Sequence, residues 1–122
     1  MRTLILAIGS AIALLCTVSY AHGQKATERY IPLGQSPGVS KKYTYVGTCE
    51  AVSPEKRTIT AGGHTVKITD ATQIWLDRSQ LKQPTGTGSV SDLKQGQMVE
   101  IKYDDPARPQ AAEWIKVQVT SP

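Results

Sequence analysis

Few residues in this 122-residue chain carry catalytic chemistry: His22 and His64, Cys16 and Cys49, and a modest set of acids. Cys49 with His64 could act as a thiol nucleophile and its base, which requires the two groups within hydrogen-bond reach. A cysteine in the middle of a strand is ordinarily core, so we expect burial and no catalytic role. Asp104 and Asp105 are neighbours ahead of Pro106 and read as a solvated turn. Hydrolysis by paired carboxylates needs them across a cleft, about 5–10 Å apart. No G-x-S-x-G elbow, H-E-x-x-H helix, phosphate-cradling glycine loop or C-x-x-C pair is present. We therefore expect no enzyme and no catalytic residues.

Binding chemistry is better represented. Trp75, Trp114, Lys116 and Lys67 combine flat aromatic faces with cations, a set able to stack a sugar or a base and to contact an anion. Copper is a second reading. If export leaves His22 as the new N-terminus, its α-amine and imidazole could chelate Cu(II), with His64 adding another ring nitrogen. His22 sits on a Gly/Pro-containing arm that fixes little geometry, so we assign no metal ligands and expect no cofactor.

The elements that must position these residues are short strands. From Tyr43 onward, β-rich runs alternate with turn chemistry, and no window holds a 3.6-residue period beyond one turn. Tyr43–Val52 is the longest run, with a bend expected at Gly47. Ser53-Pro54-Glu55-Lys56 is a turn, and Gly62-Gly63 joins Thr58–Ala61 to His64–Thr69 in a tight hairpin. Gln73–Asp77 follows, then an exposed loop over 82–91, one helical turn in Ser91–Gly96, and strands over Met98–Tyr103 and Ala111–Val119. Strand residues face alternate sides. That parity gives a core of Ile59, Ala61, Val66, Ile68, Ile74, Leu76, Val99, Ile101, Tyr103, Ile115, Val117 and Val119. Trp75, between Gln73 and Asp77 on one side, and Trp114 with Lys116 then fall on the opposite, polar face. Exposed tryptophans are costly unless covered. Either the arm at 24–42 folds back over both rings, or a ligand or partner stacks there.

The first 23 residues form an address. Arg2 followed by an apolar run from Leu4 to Val18 and small residues at the exit is the pattern of a secretory signal peptide, too short to span a bilayer. Cleavage after Ala21 or after Gly23 fits the small-residue rule. Cys16 leaves with the signal, and Cys49 is then a single thiol in an oxidising compartment, either buried or joined to a second copy in a homodimer. Cutting after Ala21 takes the net charge from +4 to +3. The basic residues are scattered, with Lys41-Lys42 and Lys56-Arg57 the only adjacent pairs, so no nucleic-acid partner is expected. Residues 24–42 hold Gly34, Gly38, Pro32 and Pro37 and read as a flexible arm; residues 43–120 form the domain.

The strand pattern suggests a five- to six-stranded antiparallel barrel of the oligonucleotide/oligosaccharide-binding (OB) type. The runs Gly47-Thr48-Cys49-Glu50-Ala51-Val52, Lys56-Arg57-Thr58-Ile59-Thr60 and Asp92-Leu93-Lys94-Gln95-Gly96-Gln97-Met98-Val99 resemble small bacterial periplasmic barrels of unassigned function. Their pattern is G-x-V-x-x-V-D-x-x-x-x-T-I-T, then L-K-x-G-x-x-V-x-V. The layout is also similar to the periplasmic copper chaperones of silver/copper efflux systems. Those hold Cu(I) with a histidine, an M-x-M pair and a capping tryptophan. Here Trp75 is followed by Leu76-Asp77-Arg78-Ser79, and Met98 lies in another strand, so no ligand carries across. The resemblance implies a fold and a periplasmic or secreted setting. The resulting expectation is an exported, non-enzymatic binding module of the bacterial envelope, its ligand or partner, an envelope protein or a glycan, held on Trp75, Trp114, Lys116 and Lys67. The alternative is a copper-binding accessory protein using His22 and His64.

Overall fold

The computed structural model describes residues 28–35 and 44–121; the expected signal peptide, its expected cleavage sites and His22 lie outside them. The domain is all-β. Its strands are β1 (Thr44–Ser53), β2 (Thr58–Ala61), β3 (His64–Lys67), β4 (Gln73–Asp77), β5 (Gly86–Thr87), β6 (Met98–Tyr103) and β7 (Ala112–Gln118). They form one seven-stranded sheet in the order β3-β2-β1-β6-β7-β4-β5. Among the described residues, no helix is long and apolar enough to cross a membrane.

The structure differs from expectation in four respects. The sheet does not close into a barrel: β3 and β5 are its edges, and one isolated parallel bridge, Lys67 to Ala111, ties β3 to the residue before β7. The pairing is not wholly antiparallel, because β4 runs parallel to β7 in a register that sets Trp75 beside Lys116. Among the described residues there are seven strands rather than five or six because the exposed loop over 82–91 contains β5, a two-residue strand too short to alternate. The helical turn also falls slightly earlier, at Val90–Asp92, where Ser89 and Asp92 form a capping box.

β1 links the two halves of the sheet. Its first half pairs with β6 and its second with β2, and the register shifts between Cys49 and Ala51. An extra residue in one strand bends it and raises its twist. Just upstream, the Tyr45 ring lies where a Cβ on Gly47 or Gly62 would sit, so both positions need glycine.

The core follows the parity of the sequence. Ile59, Ala61, Val66, Ile68, Ile74, Leu76, Val99, Ile101, Tyr103, Ile115 and Val117 are buried together with Cys49, Leu93 and Ala112, and Val119 packs at the margin. Cys49 is a free thiol, 1% exposed. Each buried aliphatic side chain contributes about 1.5–3 kcal/mol. A thiol held this deep cannot bridge to a second copy unless β1 opens, so the homodimer reading loses its chemical basis.

Candidate functional site

The opposite face of the sheet is where the sequence leaves most unexplained. Parity puts Trp75 and Asp77 of β4, Trp114 and Lys116 of β7, and Glu100 of β6 on that face, and registration packs them side by side. Trp75 pairs with Lys116 across the parallel β4–β7 ladder, and Lys116 with Glu100 across the antiparallel β6–β7 ladder. One row therefore reads Trp75, Lys116, Glu100. The two indoles stack at 5.1 Å between centroids with 30° between their planes. The Lys116 ammonium lies 5.1 Å from the Trp114 ring and 6.0 Å from that of Trp75. A desolvated cation over indole is worth about 2 kcal/mol.

This face is covered. Trp75 is 3% exposed, Trp114 1% and Lys116 0%, so the expected open aromatic surface is corrected to a sealed one. The cover is the segment 28–35, which corrects the reading of a flexible arm for those residues. Parity gave the correct face, and the fold-back alternative accounts for what lies on it.

The segment is held mainly through its own backbone. Lys116 Nζ donates to the Glu28 carbonyl at 3.0 Å and to the Ile31 carbonyl at 2.6 Å. The Leu33 amide donates to Asp77 Oδ2 at 2.8 Å, and the Gly34 amide to Glu100 Oε1 at 3.1 Å. The Trp114 indole N–H donates to the Glu28 carboxylate at 3.1 Å. Gly34 adopts a φ of +82°, a left-handed conformation that favours glycine and that turns its amide toward Glu100. Pro32 fixes its own φ and its carbonyl accepts the Gln35 amide, which closes the last turn of the segment.

The electrostatics follow from enclosure. Burial lowers the Lys116 pKa, and Glu100, Asp77 and Glu28 oppose the shift. Glu100 is its ion-pair partner at 4.0 Å, both side chains fully buried. For Asp77, burial acts to raise the pKa, but the Leu33 amide, the Ser79 hydroxyl and amide, and Lys116 together hold it below its usual value. Glu100 accepts the Thr44 hydroxyl on its second oxygen at 3.0 Å. The site is thus a cation and two carboxylates set among stacked indoles, with their hydrogen-bonding capacity directed outward at a peptide backbone.

Lys67 does not join this group. It is exposed on edge strand β3, with its amide bonded to the Gln110 carbonyl, and it lines a separate shallow cavity of about 640 Å3 with Thr58, Thr65, Asp104 and Gln110. His64 is exposed at the β2–β3 hairpin, edge-on to Tyr103 at 6.3 Å. Cys49 is buried in the core instead, its thiol pointing to the Ala51 carbonyl and its pKa raised by burial. Among the described residues, no three His, Cys, Asp or Glu side chains converge as a metal site.

The sequence reading missed Glu100, Asp77 and Glu28. Alternation marks Glu100, flanked by Val99 and Ile101, as facing the tryptophans, and Asp77 follows from Trp75 in the same way. Glu28 carries no such signal, because it belongs to no strand.

No curated protein and no solved structure matches the chain. A family model does: residues 46–116, which run from β1 into β7 and include Trp75, Asp77, Glu100, Trp114 and Lys116, match a domain of unknown function. The chain belongs to the DUF5666 family.

Proposed function

We propose that this protein is an exported, non-enzymatic binding module of the bacterial envelope, and that it binds through the Trp75–Trp114–Lys116 face once residues 28–35 move aside. One observation carries the reading: Lys116, Glu100 and Asp77 are buried beneath residues 28–35 and not within the main core. A permanent interior contact is best made apolar, because burying charges costs more than packing hydrophobes. Contacts that separate are more polar than obligate ones. Charges at the base of the face keep it compatible with water when uncovered, while two indoles supply the binding area. The sequence resemblance to small periplasmic proteins and the export-signal pattern of residues 1–23 support the envelope setting.

Hydrogen exchange on the full chain tests the opening. The Leu33 and Gly34 amides should exchange at least about a hundredfold faster than strand amides such as that of Ile101, by a local opening that leaves the sheet folded. Equal protection would make the segment part of the global fold and remove the binding face. Fractionation of the native host, with the protein found in the exported fraction, tests the setting.

A further inference from the structure

We infer that the natural occupant of this face is a peptide segment of another protein, for which residues 28–35 are a built-in substitute. The inference rests on the binding role proposed above and names the class of partner.

The groups of the face answer peptide chemistry atom by atom. The Lys116 ammonium takes two main-chain carbonyls three residues apart, Glu28 and Ile31, which a turn brings together: the Ile31 amide donates back to the Glu28 carbonyl at 3.2 Å. Asp77 and Glu100 take two successive main-chain amides, Leu33 and Gly34. Trp114 Nε1 takes the carboxylate of Glu28. Four of these five contacts go to backbone atoms that any peptide carries, so the chemistry is not specific to being part of this chain. The side-chain requirements are a carboxylate at the first position and a residue tolerant of positive φ six positions later. The matching partner is a turn of the form acid-x-x-x-x-x-Gly with two free amides at its end.

A tethered occupant competes at an effective concentration of about the millimolar range, so a partner in trans is best detected after the segment is weakened in place. Gly34→Pro in the full chain does this without altering the face: proline lacks the amide that meets Glu100 and cannot adopt a positive φ. Glu28→Lys is a second route, setting a cation against Lys116. Trp75 and Trp114 are the only tryptophans, so fluorescence reads the face directly.

In either variant, with far-UV dichroism unchanged, we expect red-shifted emission that becomes accessible to acrylamide. A blocked synthetic peptide of residues 28–35 should then restore the blue emission and the shielding with saturation. The same peptide carrying the Gly34→Pro change should bind at least about tenfold more weakly. Exposed tryptophans that the peptide does not cover again, or cover equally well with the altered peptide, would overturn the peptide inference and leave the proposed opening standing. Recovery of shielding by a tetrameric N-acetylglucosamine oligosaccharide, but not by peptide, would give the face to a glycan instead. Dimerisation of the variant that peptide cannot reverse would give it to a second copy. Unchanged emission in both variants, or loss of the sheet in both, would show a segment that does not leave the folded domain, and both readings would fall.

Discussion

Trp75 and Trp114 stack at 5.1 Å across two parallel strands, and Trp114 closes the contact to the N-terminal segment by donating its indole N–H to Glu28. A large aromatic enclosed in this way supports the sheet and its cover together. Trp114→Ala should lower the unfolding free energy by about 3–5 kcal/mol, read from urea melts of the full chain. A loss below about 1 kcal/mol would show a loosely covered ring.

Lys116 and Glu100 form a charge pair that cannot be halved cheaply. Lys116→Met removes one ion-pair partner of buried Glu100 and the donor to two carbonyls, for an expected loss of about 3 kcal/mol. Adding Glu100→Gln removes the buried charge that Lys116 had balanced and keeps an acceptor for the Gly34 amide, so the double variant should recover part of the loss. A double-mutant cycle by thermal or urea melting checks the coupling, and additive losses would mean that the charges do not interact.

Asp77 makes the cover acid-sensitive. Its pKa in the folded protein lies below its ordinary 3.8, so the folded state favours the ionised form. The stabilisation is complete above that ordinary value and is lost as pH falls through the lower, folded one. Tryptophan emission followed from pH 7 to pH 2 should shift red as the Leu33 amide loses its acceptor. Asp77→Asn should flatten that shift, and an unchanged titration in the variant would assign it to another carboxylate.

Tyr103 presents a buried hydroxyl with no hydrogen-bond partner among the described residues. Burial, with Tyr45 nearby, raises its pKa. Tyr103→Phe removes an unsatisfied group from the core and should leave stability unchanged or raise it by up to about 1 kcal/mol in melts at pH 7. A loss greater than that would show that the hydroxyl makes a bond.

Cys49 should be inert in the folded domain. Burial both raises its pKa and blocks access, so in a Cys16→Ser background iodoacetamide at pH 8 should label it at least about a hundredfold more slowly than in urea. Comparable rates would show β1 opening at its bulge.

The inner face of this domain is legible in its sequence because alternation is a property of side chains. Val66 with Ile68, Ile74 with Leu76, and Val99 with Ile101 each declare one side of a strand, and all six are buried. The same alternation assigns Trp75, Trp114 and Lys116 to the other side. What covers them is not legible, because the cover binds through the carbonyls of Glu28 and Ile31 and the amides of Leu33 and Gly34, atoms that every residue except proline carries alike. Glycine and proline in residues 24–42 signal departure from regular structure, and Gly34 and Pro32 use that freedom to form fixed turns. β5 was hidden for a different reason: two residues cannot display a period. Lys67 shares a parity argument with the tryptophans but lies in edge strand β3, which meets the chain at Ala111, short of Trp114 and Lys116, and strand order cannot be read from parity.

The segment at residues 28–35 leaves the ribosome before β7, the strand that supplies Trp114 and Lys116. Its seat does not exist until β7 has joined the sheet, so residues 28–35 can dock only after a strand made much later has been placed. A chain cut short before Ala112 would therefore lack Trp114 and Lys116, the two side chains that hold Glu28 and Ile31 in place.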